Sequence, residues 1–530
     1  MTIIKLIKQE PHFWILALLA ATIPVSTFGM SVSQFFLLFY FLGSGRWNEK
    51  WNRLRNNKAL PFILLVYAVH LFGLLYTTYP EGFFGNYYTA LDDLRIKLPL
   101  LILPILIAAF PPLSFQQIKW IIYAFSLSLL INSFISTAVY LGLTPIQIDE
   151  TRDISLFVSH IRVSLFVDIA FFLGLYLVLI KRNHLSKTEK WLIPVILAWF
   201  LFFLILLKAF TGIFVFAVIA GLGILLWSLR ASSFRRRLLA ISLLIILVFS
   251  SFGWFAHYVK QYRDFDVYQP ENLDPFTENG RPYSHDFSNL QVENQHWVGL
   301  YHNEEELRNE WNRRSKMPYD GPDLRGNNLR QTLQRYLTGL NLRKDSVGVV
   351  QLSEDDISMI EQGYANPIYK KRFSLLPRIY EIVWEVDLNL RGANPNGHSV
   401  AQRMEYGRLG WLILRENLWL GVGTGDVYLA YRALYDQNES PLRSSNQRRA
   451  HNQYLSFLIA FGLVGFSLIS IGVLVPIFMF YKHINFMFYI PFAIALLSML
   501  NEDTLETQAG VTFVAFFYSL FVFGFKQKSN

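Results

Sequence analysis

Ionisable side chains stand at the ends of several long apolar runs in this sequence, where a charge is expensive and each is therefore a candidate for function. His451 and Asn452 open one run in RRAHNQYLSF, preceded by Arg448 and Arg449. Arg162 stands beside His160 in SHIRVSLF at the head of another, and Lys208 lies in LLKAFTG between two more. Arg95 and Lys97 begin a further run, and Glu502 and Asp503 end one. Guanidinium groups offer planar donor pairs to diphosphate oxygens and stay charged at any working pH. An imidazole beside them can take a proton from a sugar hydroxyl near neutral pH, and neighbouring arginines favour the neutral form that a base needs. Such a set suits an anionic, lipid-linked substrate.

Plainer readings exist for most of these residues. Lys97 at a helix end snorkels to headgroups, His160 is a satisfied interfacial histidine, and Arg448 and Arg449 hold anionic lipid. Glu502 and Asp503 mark the end of a span or hold a cation in the fold. His285, His296 and His302 lack a helical His-x-x-x-His spacing, so no metal site is expected. GVGTGD, Gly421 to Asp426, follows no strand of a β-α-β unit; it reads as a sharp turn leading back towards the bundle and not as a nucleotide fingerprint.

The elements that must position these groups follow from composition. The chain has 530 residues, 53% hydrophobic and only 16% charged, against about 25% charged in an average soluble domain. That is too few charges to wet a soluble surface of this size. With a mean hydropathy of +0.29, the fold class is an all-α polytopic membrane protein, which excludes a soluble enzyme, a fibrous protein and a disordered chain. Cysteine is absent, which excludes disulfides, thiolate metal sites and a cysteine nucleophile. The net charge of +9 falls in short clusters between apolar runs, where orientation in a bilayer accounts for it and nucleic-acid binding does not.

A span needs roughly 20 apolar residues, which gives about twelve. They fall near 12–28, 31–45, 60–77, 96–110, 118–141, 161–180, 190–207, 211–229 and 238–256, then 452–480, 486–501 and 510–525. Lys5 and Lys8 flank the first as they would a signal peptide, but the next span follows at once and no small-x-small cleavage site is visible. Lys and Arg resist export. The loops holding Arg46, Lys50, Arg53, Arg55 and Lys58, then Lys181, Arg182, Lys187 and Lys190, then Arg230, Arg235, Arg236 and Arg237, and finally Lys526 and Lys528, are therefore cytoplasmic. The acidic set of Glu81, Asp92, Asp93, Asp149, Glu150, Asp153, Glu502, Asp503 and Glu506 lies outside, and both termini lie inside.

This divides the chain into an N-terminal bundle of nine helices over 1–256, an external loop domain over 257–450 and three C-terminal helices over 451–530. The loop domain is too long for a connection and must fold, mainly as helices, between the ninth and tenth spans. QPENLDPFTENGRPYSHD reads as turns and ordered loop. Helical pieces begin near 303, 326 and 353, the last with a capping-box signal from Ser353 to Asp356. KRFSLLPRIYEIVWEVDLNL and SVAQRMEYGRLGWLILRENLWLG look amphipathic, with Trp384, Trp411, Leu412 and Trp419 able to lie against the membrane or the bundle.

At these residues the sequence resembles the O-antigen ligase family of polytopic glycosyltransferases over nearly its whole length. SVAQRMEYGRLGWLILRENLWLGVGTGD looks like the family's segment of Arg, then Trp, then Gly-x-Gly, which puts the functional arginine at Arg403. HNQYLSFLIAFGLVG resembles the His-Asn motif and puts the base at His451. NEDTLETQAGVTF is similar to sequences in ligase-like proteins of Bacteroidetes-type bacteria. One motif departs: where the family often carries Ser-Arg-Thr-Gly, this chain reads Ala209, Phe210, Thr211, Gly212, so the expected arginine is Phe210, and Lys208 and Arg162 are the candidates to supply its charge.

The resemblance implies transfer of a polysaccharide from an undecaprenyl diphosphate carrier to a lipid A core hydroxyl, at the periplasmic face of a bacterial inner membrane. No cofactor, metal or ATP is implied, since the donor bond is already activated. Arg403, Arg162 and Lys208, with Arg448 and Arg449, would hold the diphosphate; His451 would deprotonate the acceptor, supported by Asn452 and His160; and direct attack would invert the anomeric carbon. The alternatives are a polymerase using the same donor, a ligase that glycosylates protein, a transporter of a lipid-linked sugar with its charges near the midplane at broken helices, and a non-catalytic scaffold.

Overall fold

The computed structural model describes residues 11–77, 90–146, 148, 151–230, 233–263, 273–289, 291–371, 373–392, 394–396, 398–437, 440–481 and 486–525. Lys5, Lys8, Glu81, Asp149, Glu150, Lys526 and Lys528 lie outside the described residues. The protein is mostly helical. In chain order the helices are α1 Pro11–Thr22, α2 Thr27–Gly43, α3 Trp47–Asn56, α4 Leu60–Phe72, α5 Ala90–Lys97, α6 Pro99–Ala109, α7 Phe115–Tyr140, α8 His160–Leu179, α9 Lys187–Leu207, α10 Phe210–Arg230 and α11 Phe234–Arg263. Strands β1 Val292–Glu293 and β2 His296–Trp297 precede α12 Glu304–Arg314, α13 Leu329–Gly339, α14 Ser346–Val350, α15 Glu354–Glu361 and α16 Leu376–Leu390. Then come α17 Ser399–Glu416, α18 Val427–Gln437, α19 Gln453–Phe480, α20 Phe486–Ser498 and α21 Gln508–Val522.

Among the described residues, five helices are long and apolar enough to cross a membrane: α7, α8, α9, α10 through Leu229, and α19. The chain reads as a multi-pass membrane protein. Shorter apolar helices, Pro11–Thr22, Leu60–Tyr76, Phe486–Ser498 and Gln508–Val522, fall where the sequence places further spans. Two expected spans have a different form. Near 31–45, α2 turns through 113° into α3, at Gly45 and Arg46, both with left-handed φ. Near 96–110, the chain forms two helices, because Pro99 has no N–H to continue α5 and instead starts α6.

The chain forms two compact units, residues 1–223 with 402–530, and residues 224–401. In the first, α4 packs on α19 and α6, α1 on α7, α8 on α9 and α20, and α21 on α6 and α20. Its core is aliphatic and phenyl, with Phe125, Phe166, Phe513 and Phe517 meeting edge to face.

Within α19 the helix is broken at Gly462, at φ 60° and ψ −166°. A break inside an apolar element exposes backbone groups that must find partners in the protein. The glycine-rich turn supplies them. The N–H groups of Val422 and Gly423 donate to the carbonyls of Ile459 and Ala460, and those of Leu463 and Val464 donate to the carbonyls of Leu418 and Trp419. The turn must come close enough to bond, and a Cβ at Gly462 would lie 2.3 Å from the Trp419 carbonyl. The turn thus leads back to the bundle, as its composition suggests. Gly462→Ala combines this clash with a backbone region open only to glycine, worth about 1–3 kcal/mol alone. We expect it to lower the thermal unfolding temperature in detergent clearly more than Gly43→Ala, whose Cβ would meet nothing within 4 Å.

In the second unit, Trp311, Tyr319, Leu333, Tyr336 and Ile360 form a core of buried side chains. The capping box of Ser353 and Asp356 forms at the head of α15. β1 and β2 pair antiparallel through Asn294 and Gln295, both at left-handed φ, as a two-residue hairpin turn requires. Trp384 does not face a membrane: it is buried in a cluster with Tyr380, Val383 and Leu388, under the Arg335 guanidinium 4.4 Å away. Trp411 and Trp419, in the first unit, are 56% and 67% exposed.

Candidate active site

Two loops of the first unit build the site. One, Arg448 to Asn452, leads into α19; the other, Asn501 to Thr507, joins α20 to α21. Asn452 caps α19, its side chain accepting from the Leu455 N–H at 3.0 Å and donating to the Leu500 carbonyl at 2.9 Å. His451 takes left-handed φ, +50°, a conformation histidine and asparagine enter more readily than most residues. Its N–H donates to the Asp503 carboxylate at 3.1 Å, and the other oxygen of Asp503 accepts from Ser456 at 2.7 Å.

Glu506 is the hub of the second loop. It accepts from Lys97 at 2.9 Å, from Arg449 at 2.8 Å and from Gln453 at 3.1 Å. Burial opposes its ionisation, but the charges of Lys97 and Arg449 outweigh that and hold the carboxyl well below the ordinary range. Lys97 also pairs with Asp93. It is 1% exposed, so the expectation that it snorkels is corrected: a buried ammonium with two carboxylate partners gains more by staying than by reaching for headgroups.

Glu502 holds Arg403, whose Nη2 lies 2.7 Å away, while Arg403 Nη1 reaches Asn501 at 3.3 Å. Asn501 donates in turn to Thr211 at 3.0 Å. The turn that departs from the family pattern is thereby tied to the Arg403 site through Thr211, while Phe210 is 50% exposed.

Arg162, on the first turn of α8, is 4% exposed. Its Nη2 donates to the Asp503 carbonyl at 3.0 Å and its Nε to Thr507 at 3.4 Å. Nη1 is buried and meets no hydrogen-bond partner among the described residues. A guanidinium edge left open in this way calls for an acceptor.

His451 is where these groups converge. Burial drives its pKa down to about 4; the nearby Glu502 carboxylate opposes this, and the cations Arg403, Arg448 and Arg162 add to it. The imidazole is neutral at any pH near 7 and can accept a proton. Its ring lies 5.7 Å from that of Tyr406.

Of the sequence-derived candidates, Arg162, Arg403, Arg448, Arg449, His451 and Asn452 come together here. Arg448 is exposed, whereas Arg449 is engaged with Glu506. His160 begins α8, two residues from Arg162. Lys208 ends α9 at left-handed φ and is not among the cations acting on His451. Sequence reasoning passed over Glu506 and Asp503 as the groups that hold the histidine segment. The acidic spacing in NEDTLETQAG was the available signal.

Residues 363–470 match the family model described as O-Antigen ligase. This stretch belongs to the O-antigen ligase family. It carries Arg403, the glycine-rich turn, Arg448, Arg449, His451 and Asn452, so the matched segment brings His451 and two of the three arginines that act on it. Arg162, Lys97 and the acidic loop come from outside it. No curated protein matches the chain.

Proposed function

We propose that the chain is an O-antigen ligase. It takes a polysaccharide from undecaprenyl diphosphate and transfers it to a lipid A core hydroxyl, at the periplasmic face of the bacterial inner membrane, with residues 257–450 outside the membrane. The observation that carries this reading is a neutral, half-buried imidazole beside three guanidinium groups, one of which has an open buried edge. His451 takes the acceptor's hydroxyl proton. The acceptor oxygen forms the new bond to the anomeric carbon from the face opposite the leaving group. The bond from that carbon to the diphosphate oxygen breaks, and the electron pair leaves with the diphosphate, inverting the carbon. The negative charge developing on the leaving group meets Arg162, Arg403 and Arg448, while Lys208 and His160 stand at neighbouring helix ends as a second ring of contacts. No metal or nucleotide is called for, because the donor already carries the activated bond.

Transport of a lipid-linked sugar is less well supported. Its expected signature is a set of charges at a broken helix, whereas the break at Gly462 is met by backbone groups and the charges gather at helix ends.

Loss of one preorganised donor to a developing oxyanion costs roughly 10²–10³ in kcat. Arg162→Gln is expected to lose that much transfer, since a neutral amide cannot replace the open guanidinium edge. The assay is glycan transfer by membranes carrying the variant at matched expression; retention of full transfer would remove Arg162 from the site. A deletion strain separates ligase from polymerase. Accumulation of long lipid-linked polymer supports the ligase, and a core capped with single units supports the polymerase.

A further inference from the structure

A cavity of about 20 Å³ lies behind the acidic loop, lined in part by His70, Asp93, Lys97, Thr424, Arg449 and Glu506. His70, on α4, is fully buried. Its Nδ1 lies 2.8 Å from the Val66 carbonyl. A carbonyl only accepts, so Nδ1 carries the ring hydrogen and Nε2 presents a lone pair. Nε2 has no hydrogen-bond partner among the described residues. Thr424, the nearest hydroxyl on the turn, cannot serve it, because its hydrogen goes to the His70 carbonyl at 2.7 Å. An ammonium has three hydrogens. Lys97 gives one to Asp93 and one to Glu506, and no further acceptor for the third is recorded among the described residues.

An orphan acceptor and an orphan donor thus line the same polar cavity. One water needs roughly 10–15 Å³ of such space and two to four polar partners. Lys97 and Arg449 balance Asp93 and Glu506 in charge, which favours a neutral guest over an ion. A water there accepts from Lys97, donates to His70 Nε2 and has a second hydrogen for a carboxylate. The bridge would join α4 to the cluster that holds Arg449, two residues before His451.

We propose that this cavity binds a water that ties His70 to the Lys97–Glu506–Arg449 cluster, making His70 a positioning residue for His451. The water stands on geometry alone; the positioning role rests on the glycosyl-transfer reading above. The test is a cryo-EM structure of the full chain in lipid nanodiscs, at a resolution showing ordered waters, for wild type, His70→Gln and His70→Leu, with transfer kinetics on each. Wild type should show density about 3 Å from both His70 Nε2 and Lys97 Nζ. His70→Leu should lose it, with kcat falling about tenfold or more at unchanged KM, as a small misplacement of a catalytic group does. His70→Gln, whose amide oxygen can accept from water, should keep the density and most of the rate; it also carries the test should the leucine variant not fold. An empty cavity in wild type, or undiminished kcat in His70→Leu, overturns the proposal. Density in wild type without any transferase activity would instead overturn the glycosyl-transfer reading and leave the water assigned.

Discussion

His451→Asn should lower transfer by about 10²- to 10⁴-fold, the range removal of a general base costs, with the protein still folded. Asparagine is the informative replacement, because it tolerates the left-handed backbone at 451 and leaves the N–H bond to Asp503 in place. Alanine would add strain to the loss of the base. The same base fixes the acid limb of the pH profile. With a pKa pushed down to about 4, His451 is competent above that pH and loses competence only as pH falls through it. Transfer should therefore be flat from about pH 8 to 6, where an unperturbed histidine near 6.5 would already be losing rate. A limb near 6.5, or an asparagine variant within a few fold of wild type, would show that another group takes the proton.

Glu506→Leu should be the most destabilising single change at the site, by roughly 3–5 kcal/mol, since it takes the central carboxylate out of a largely buried ion cluster. Lys97 would keep Asp93, but Arg449 would lose its carboxylate. Adding Arg449→Leu removes the charge that Glu506 had paired, so the double variant should recover part of the loss, a coupling expected between contacting residues. Thermal unfolding of the three proteins in one detergent measures it. The folded-state pKa of Glu506 is depressed, so its contribution is fully present above the ordinary carboxylate range and is lost only as pH falls through the depressed value. Between pH 7 and 5 the penalty for Glu506→Leu should not change. Equal unfolding temperatures for wild type and Glu506→Leu would mean the cluster contributes nothing net.

Much of this site is legible along the chain because its signals are local. Arg448 to Asn452 is one short segment, Asn452 is a natural helix cap, and the glycines at 421, 423 and 425 announce the tight turn that the break in α19 needs. The partners are not local. Lys97 and Glu506 are separated by 409 residues, so neither the burial of one nor the hub role of the other could be read from its neighbours. Lys97 at the end of an apolar run looks like a snorkelling cation until its two carboxylates are in view. The break at Gly462 is hidden inside FLIAFGLVGF, which is uniformly apolar, because hydropathy records composition and not backbone angles. For the same reason Pro99 divides what reads as one span, and the tryptophan of an amphipathic helix, Trp384, proves to serve the core of its own unit.

The central claim is most directly tested with purified protein in liposomes, given an undecaprenyl diphosphate-linked glycan and a lipid A core acceptor, without nucleotide or added metal. Wild type should produce glycan joined to the core with inverted anomeric configuration and release undecaprenyl diphosphate, and His451→Asn should do neither. Transfer undiminished in the asparagine variant, or donor left intact by a folded wild-type protein, would contradict the account.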